Sequence, residues 1–210
     1  LIRVTTYWKF QEEAEEMTQV TVFGAGAWGS TMSQVLSDAG NDVLLWGRNR
    51  DVVAEINQSH TNHKYLESHT LPANIEATVD LARAFNYSQI YILAIPAQEL
   101  RATLTLWKGH FPKNSLIVST LKGIEISTQL RMTEVITDVL GAQQLGIITG
   151  PNLADELVLR QPAGAVAAAA TQELADQIRD LFATPYYRVY TSVDLLGCEL
   201  SGAIKSVIAL

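Results

Sequence analysis

Short β-branched or aliphatic runs alternate along the chain with longer stretches whose apolar residues recur every three or four positions. The runs are QVTVF (19–23), DVLLW (42–46), IYILAIP (90–96), SLIVST (115–120), GIIT (146–149), AGAVAAAA (163–170) and YRVYT (187–191). Each reads as a strand, the first of them buried. Between them Trp28–Ala39, Asp51–Ser59, Ala97–Trp107, Thr128–Leu140, Leu153–Leu159 and Gln172–Phe182 read as helices. Val52, Val53 and Ile56 mark one face of the second, and Gly40 with Asn41 closes the first. The polar stretch from His60 to Thr70 reads as a loop. Strands alternating with helices predict an α/β fold with a doubly wound, Rossmann-type, mainly parallel sheet. The alanine run at 167–170 marks a strand packed close to a helix.

The two ends break this rhythm. LIRVTTYWKFQEEAEE lacks a long apolar core and carries four glutamates, so it is not a signal peptide. It reads as an extension outside the fold. Asp194 to Leu210 reads as a helix, with Leu195, Leu196, Leu200, Ala203, Ile204, Val207, Ile208 and Leu210 around most of its circumference. Such a helix is normally buried on all sides. No C-cap signal follows it. The expectation is that the chain is cut off here, and that a further domain or another chain covers the helix. Left bare, its apolar face would drive self-association.

Composition narrows the function classes. Of 210 residues, 48% are hydrophobic and 18% charged, which suits a packed globular domain. Fifteen Lys and Arg against 22 Asp and Glu give a net charge of −7, which argues against nucleic acid or a membrane surface as partner. No apolar stretch is long enough to span a membrane. One cysteine, Cys198, rules out an internal disulfide framework and fits a cytoplasmic, reducing compartment; it reads as a core thiol. His60, His63 and His69 share one loop but lack the companions of a metal site.

The chemistry gathers at strand ends. Strand 19–23 runs into Gly24-Ala25-Gly26-Ala27-Trp28-Gly29 and then a helix. This is GxGxxG in a strand–turn–helix setting, the signature of a dinucleotide site. Gly24 allows the tight turn, Gly26 lets the backbone approach a pyrophosphate, and Gly29 lets the helix pack on the strand. The helix N-terminus offers unpaired N–H groups to the phosphates. After the second strand stands Arg48, where NAD-preferring sites carry an acidic residue; a guanidinium suits a 2′-phosphate, so the reading leans to NADP over NAD. Three further places could carry chemistry: Lys122 at a strand end, Gly150-Pro151-Asn152 as an anion cradle with Asn152 as helix cap, and Lys205 on the apolar last helix. Trp46 and Trp107 read as packing residues.

GAGAWG, NHKYLES…LPANI (62–75), STLKGIE (119–125), TGPNLADE (149–156) and GCELSGAIKSVIAL (197–210) together resemble the NAD(P)-dependent glycerol-3-phosphate dehydrogenases. The resemblance implies reduction of dihydroxyacetone phosphate to sn-glycerol 3-phosphate, a phospholipid precursor. It implies that Ala27, Trp28, Arg48, Tyr65 and Ala154 lie on the cofactor, and that Lys122 meets both cofactor and substrate. Gly150 and Asn152 would meet the substrate, and Lys205 would be the general acid/base. Two departures stand out: Ser206 follows Lys205 where the family has Asn, and Asn152 stands where it commonly has Ser or Thr. The family also continues into a helical domain that supplies an Asp and an Arg-Asn pair. The implied organisation is an extension (1–17), a Rossmann domain (18–191) and the start of a helical substrate domain (192–210), with a homodimer as the expected assembly.

Two rival readings remain open on the residues alone. A β-hydroxyacid dehydrogenase-like reductase would use the same dinucleotide domain and a helix-borne lysine. A non-catalytic dinucleotide-binding fragment would bind cofactor without turnover.

Overall fold

A computed structural model describes residues 17–67, 69–141 and 143–208, the side chains of 206–208 excepted. The expected extension therefore lies outside the described residues save for Met17, which is exposed. The side chain of Ser206, the departure from Lys-Asn, is likewise not described.

Eight strands form one sheet: β1 (Gln19–Phe23), β2 (Asp42–Trp46), β3 (Ile75–Thr78), β4 (Ile90–Leu93), β5 (Leu116–Ser119), β6 (Gln144–Thr149), β7 (Ala163–Ala169) and β8 (Tyr187–Ser192). Their spatial order is β3-β2-β1-β4-β5-β6-β7-β8. Every pairing is parallel except β6 with β7, which is antiparallel. Nine α-helices are described: α1 (Ala27–Asp38), α2 (Arg50–Ser59), α3 (His63–Leu66), α4 (Leu81–Tyr87), α5 (Leu100–Trp107), α6 (Met132–Leu140), α7 (Ala154–Val158), α8 (Gln172–Phe182) and α9 (Leu195–Ile208). The expected doubly wound sheet is thus the fold observed, and the chain order reverses beside β1, where a crevice opens at the carboxyl ends of the strands.

Alternation along β1 shows how the two faces are filled. Val20 and Val22 point into a core shared with α1, α2 and α8. Phe23 points to the other face, against Phe85, Tyr91 and Trp107, with ring centroids 4.7–5.9 Å away. Thr21 shares that second face yet is wholly buried. Its hydroxyl donates to the Ala84 carbonyl at 3.0 Å and bonds Ser88 Oγ at 2.9 Å, which satisfies the buried oxygen. Trp107 is buried and meets Trp46 edge-on at 5.2 Å, in keeping with a packing role. In β7, Ala165, Ala167 and Ala169 share a core with Ile178 and Phe182 of α8, so small side chains let that helix settle close to the sheet.

Three expectations are corrected. The region before residue 90 holds β3 and α4, and the loop from His60 holds α3; these elements are only four to seven residues long, too short for periodicity to register. The run IYILAIP is strand only to Leu93, because Pro96 caps a 3₁₀ turn over Ala97–Glu99. Cys198 is half-buried rather than core; Leu196, Leu200 and Ile204 of the same helix are exposed, the apolar face that the sequence reading leaves needing a cover.

Candidate functional site

The crevice beside β1 is a cleft of about 540 Å³. Gly24, Gly26, Ala27, Trp28, Arg48, Tyr65 and Lys122 are among the residues that line it. Gly24 has a φ of +121°, and a side chain there would run into the Ala94 carbonyl; only glycine makes this turn. Gly29 is buried and does not line the cleft. A Cβ on it would collide with the Gly24 carbonyl oxygen, so α1 can start this close to β1 only without one. At Gly26 nothing lies within 4 Å of where a Cβ would stand. That space is open toward the cleft, as an approaching phosphate requires.

Two more observations fit a dinucleotide. Gly26 caps α1 without a side-chain bond, so the first N–H groups of the helix have no side chain to satisfy them. The Trp28 indole Nε1 is buried and, among the described residues, has no hydrogen-bond partner. A buried unpaired donor at a cleft wall is costly unless a ligand accepts from it.

Arg48 sits at the mouth, 79% exposed, with its Nη1 3.4 Å from Glu99 Oε2. An exposed pair of this length is weak, and leaves the guanidinium able to turn to a ribose phosphate. The next residue, Asn49, is spoken for: its side chain accepts from Asp51 N at 2.9 Å and so caps α2.

Tyr65 reaches the cleft from α3, and α3 is tied to the glycine loop by Asn62. This wholly buried amide donates to the Ala25 carbonyl at 3.2 Å and to Ser30 Oγ at 2.8 Å. The Asn62 backbone carbonyl accepts from Tyr65 N at 3.0 Å. Glu55 holds the other side of the loop, accepting from Thr61 Oγ1 and His63 N, each at 2.8 Å. In the sequence Asn62 stands in a polar loop and opens the NHKYLES stretch, with nothing there to mark its bonds to the glycine loop. Likewise Ile95, Pro96, Ala97, Glu99 and Thr103 line the cleft from the segment after β4; Pro96, which cannot extend a central strand, was the available signal.

A second cluster adjoins the first at Lys122. Its Nζ lies 5.5 Å from the centre of the Trp28 ring and donates to the Gly150 carbonyl at 2.7 Å. Burial, and then the charge of Lys205, hold its pKa below the usual lysine value. Lys205 Nζ donates to the Asn152 carbonyl at 3.4 Å. Lys122, Gly150, Asn152 and Lys205, from three separate stretches of chain, therefore meet in one place.

Asn152 is not the helix cap that spacing suggests. Leu153 occupies the cap, α7 is five residues long, and the Asn152 side chain turns inward. Its amide donates to the Gly164 carbonyl at 3.0 Å and accepts from the Tyr187 hydroxyl at 3.3 Å. A nearly buried amide takes the partners that β7 and β8 offer. Ala154 opens α7 and is not among the residues lining the cleft. Among the described residues, no helix is long and apolar enough to cross a membrane, and no three His, Cys, Asp or Glu gather as metal ligands do.

Comparison with known proteins agrees with this geometry. The family described as NAD-dependent glycerol-3-phosphate dehydrogenase N-terminus matches residues 19–175. The glycerol-3-phosphate dehydrogenase (NAD(P)+) of Corynebacterium diphtheriae is 45% identical over 194 residues, 91% of this chain and 59% of that protein. That of Streptomyces avermitilis is 42% identical over 194 residues, 91% of this chain and 58% of its own length. The chain thus spans about 59% of the curated relatives it matches. The crystal structure of glycerol-3-phosphate dehydrogenase from Coxiella burnetii superposes with a TM-score of 0.85 at 25% identity, over 92% of this chain and 59% of that one. A UDP-D-ManNAc dehydrogenase from Pyrococcus horikoshii, TM-score 0.68 at 12% identity over 91% of this chain and 50% of that one, shares the fold alone. With the family match covering most of its length, and with this cleft at its strand ends, the chain belongs to the NAD-dependent glycerol-3-phosphate dehydrogenase N-terminus family.

Proposed function

We propose that this chain carries the cofactor half and the proton donor of a glycerol-3-phosphate dehydrogenase, which reduces dihydroxyacetone phosphate to sn-glycerol 3-phosphate for glycerophospholipid synthesis. The observation that carries the reading is the meeting of Lys122 and Lys205 at the end of the dinucleotide cleft. Gly24, Gly26, Ala27, Trp28, Arg48, Tyr65 and Lys122 would hold NAD or NADP, with Gly29 shaping the turn from beneath and Ala154 a more distant neighbour. A bound reduced nicotinamide would supply hydride to the ketone carbon.

The rest of the chemistry falls to side chains of this chain. Lys205, as the ammonium, gives its proton to the ketone oxygen as negative charge develops there. Lys122 holds a second positive charge beside it and bridges cofactor and substrate. The backbone at Gly150 and Asn152 orients the substrate, and the Asn152 side chain is withdrawn into structural bonds. A cytoplasmic location and a homodimer belong to the same reading; the exposed apolar strip of Leu196, Leu200 and Ile204 is the surface a further polypeptide would cover.

The test is loss of reduced-nicotinamide absorbance with dihydroxyacetone phosphate, in the wild-type protein and in Lys205→Met. A proton donor of this kind is worth roughly 10²–10⁴-fold in rate, so Lys205→Met should fall by at least about a hundredfold with cofactor affinity kept. Full activity of Lys205→Met, or turnover of a 3-hydroxy acid in place of the phosphorylated ketone, would overturn the assignment.

A further inference from the structure

Glu199 is, with Lys205, one of two charged residues on the largely apolar α9, and none of the chemistry above uses it. It is 4% exposed. Its Oε1 accepts from the Thr133 backbone N–H at 2.8 Å. Its Oε2 accepts from Thr133 Oγ1 at 2.6 Å and from Arg131 Nη1 at 2.7 Å. All three donors stand at the start of α6, where the first backbone N–H groups lack partners and the helix end is positive. The carboxylate of one helix thus caps another.

Glu199, Gly202 and Lys205 follow at three-residue intervals and share one face of α9. At Gly202 the helix lies so close to β6 that a Cβ would stand 2.5 Å from Thr149 Oγ1 and 3.9 Å from Lys122 Cγ. One turn further on, Lys205 reaches the Asn152 carbonyl. A greasy contact would hold α9 against the sheet but leave it free to slide or roll. Three directional bonds to one buried carboxylate fix both its height and its rotation. The precision matters: a helix rises about 1.5 Å per residue, and a misplacement of about 1 Å at a reacting group costs on the order of a hundredfold.

We propose that Glu199 is a positioning residue, which through Arg131 and Thr133 sets α9 so that the Lys205 ammonium stands beside Lys122. This rests on the reading of Lys205 as proton donor, and the test separates the two. Lysine side-chain NMR on the protein alone, with Lys122 assigned by Lys122→Arg, reports whether Lys205 is still its neighbour. Lys205→Met should raise the Lys122 titration midpoint toward the usual lysine value. Glu199→Gln should raise it in the same direction, lower kcat about tenfold or more, and leave NAD(P)H affinity within about twofold. Thr133→Val removes one donor and spares the ion pair; it should show the same pattern, smaller, and serves if Glu199→Gln does not fold. A Lys122 midpoint moved by Lys205→Met but unmoved in both other variants would overturn the positioning role. An active Lys205→Met would sink the proton-donor reading instead, while the midpoint in Glu199→Gln would still decide the placement of α9.

Discussion

The Lys122 ammonium stands 5.5 Å from the centre of the Trp28 ring while it donates a hydrogen bond to the Gly150 carbonyl at 2.7 Å. One side chain therefore joins the cleft of the glycine loop to the turn at Gly150. Lys122→Met should weaken NAD(P)H binding about threefold to tenfold, from loss of a partly buried cation–π contact. It should also lower kcat/KM for the ketone by a further factor of about ten or more, from loss of a charge-assisted contact. Cofactor fluorescence titration and steady-state kinetics measure the two losses separately; an effect on kinetics alone would place Lys122 off the cofactor.

Two glycines of one motif should behave oppositely. Gly29→Ala puts a methyl into the Gly24 carbonyl and should cost about 3 kcal/mol or more, enough to unfold a marginal domain. Gly26→Ala meets nothing within 4 Å and has an ordinary φ of −84°. It should melt within a few degrees of wild type, having lost about 1 kcal/mol at most at the helix cap. Its NAD(P)H affinity should nonetheless drop about tenfold or more, since the methyl occupies space that a phosphate needs. Thermal melts beside cofactor titrations check both halves.

Arg48→Ser should lower NADPH affinity about tenfold or more and leave NADH within about twofold, because a guanidinium–phosphate contact is worth roughly 1.5–3 kcal/mol. Glu99→Gln should do the reverse on a smaller scale, since it frees Arg48 from a weak exposed pair. Equal effects on both cofactors would remove Arg48 from the 2′-phosphate site.

His69 gives the fold an acid sensitivity that can be assigned. Its Nε2 lies 3.0 Å from Gln34 Oε1. Burial, and secondarily the charge of Arg160, hold its pKa below the ordinary 6.5. The unfolded chain then takes up this proton first as pH falls, so native stability drops between 6.5 and the lower native value. Melting temperatures taken from pH 7 down to pH 5 should decline less steeply in His69→Gln than in wild type. Parallel curves would show that His69 is not the group responsible.

What the sequence disclosed was whatever is local. β1, its turn and α1 lie in one stretch, Gln19 to Asp38, and each glycine has a reason written beside it. The short β3 and α4 carried too few residues to show a period, although Asp80 ahead of Leu81 was a legible cap: it accepts from Ala82 N at 2.9 Å and Arg83 N at 3.2 Å. Asn152 misled because its partners, Gly164 and Tyr187, come from strands that spacing does not bring near. The nearness of Lys122 and Lys205 came from family resemblance rather than from pattern. Nothing in the alternation of apolar residues distinguished β7, the strand that runs against its neighbour, from a parallel one.

That antiparallel junction also bears on how the molecule assembles. β6 and β7 pair through the single connection of residues 150–162, so their ends find each other over a short loop. β1 must instead pair with β4 across some 70 intervening residues, as Phe23 does with Leu93. Loop-closure entropy favours the near pair and delays the distant one. β1 also pairs with β2 across the short span that holds the glycine loop and α1. What the distant pairing with β4 adds is the wall of the cleft at Ala94–Ala97, so that wall is the part of the cleft whose closure spans the longest stretch of chain.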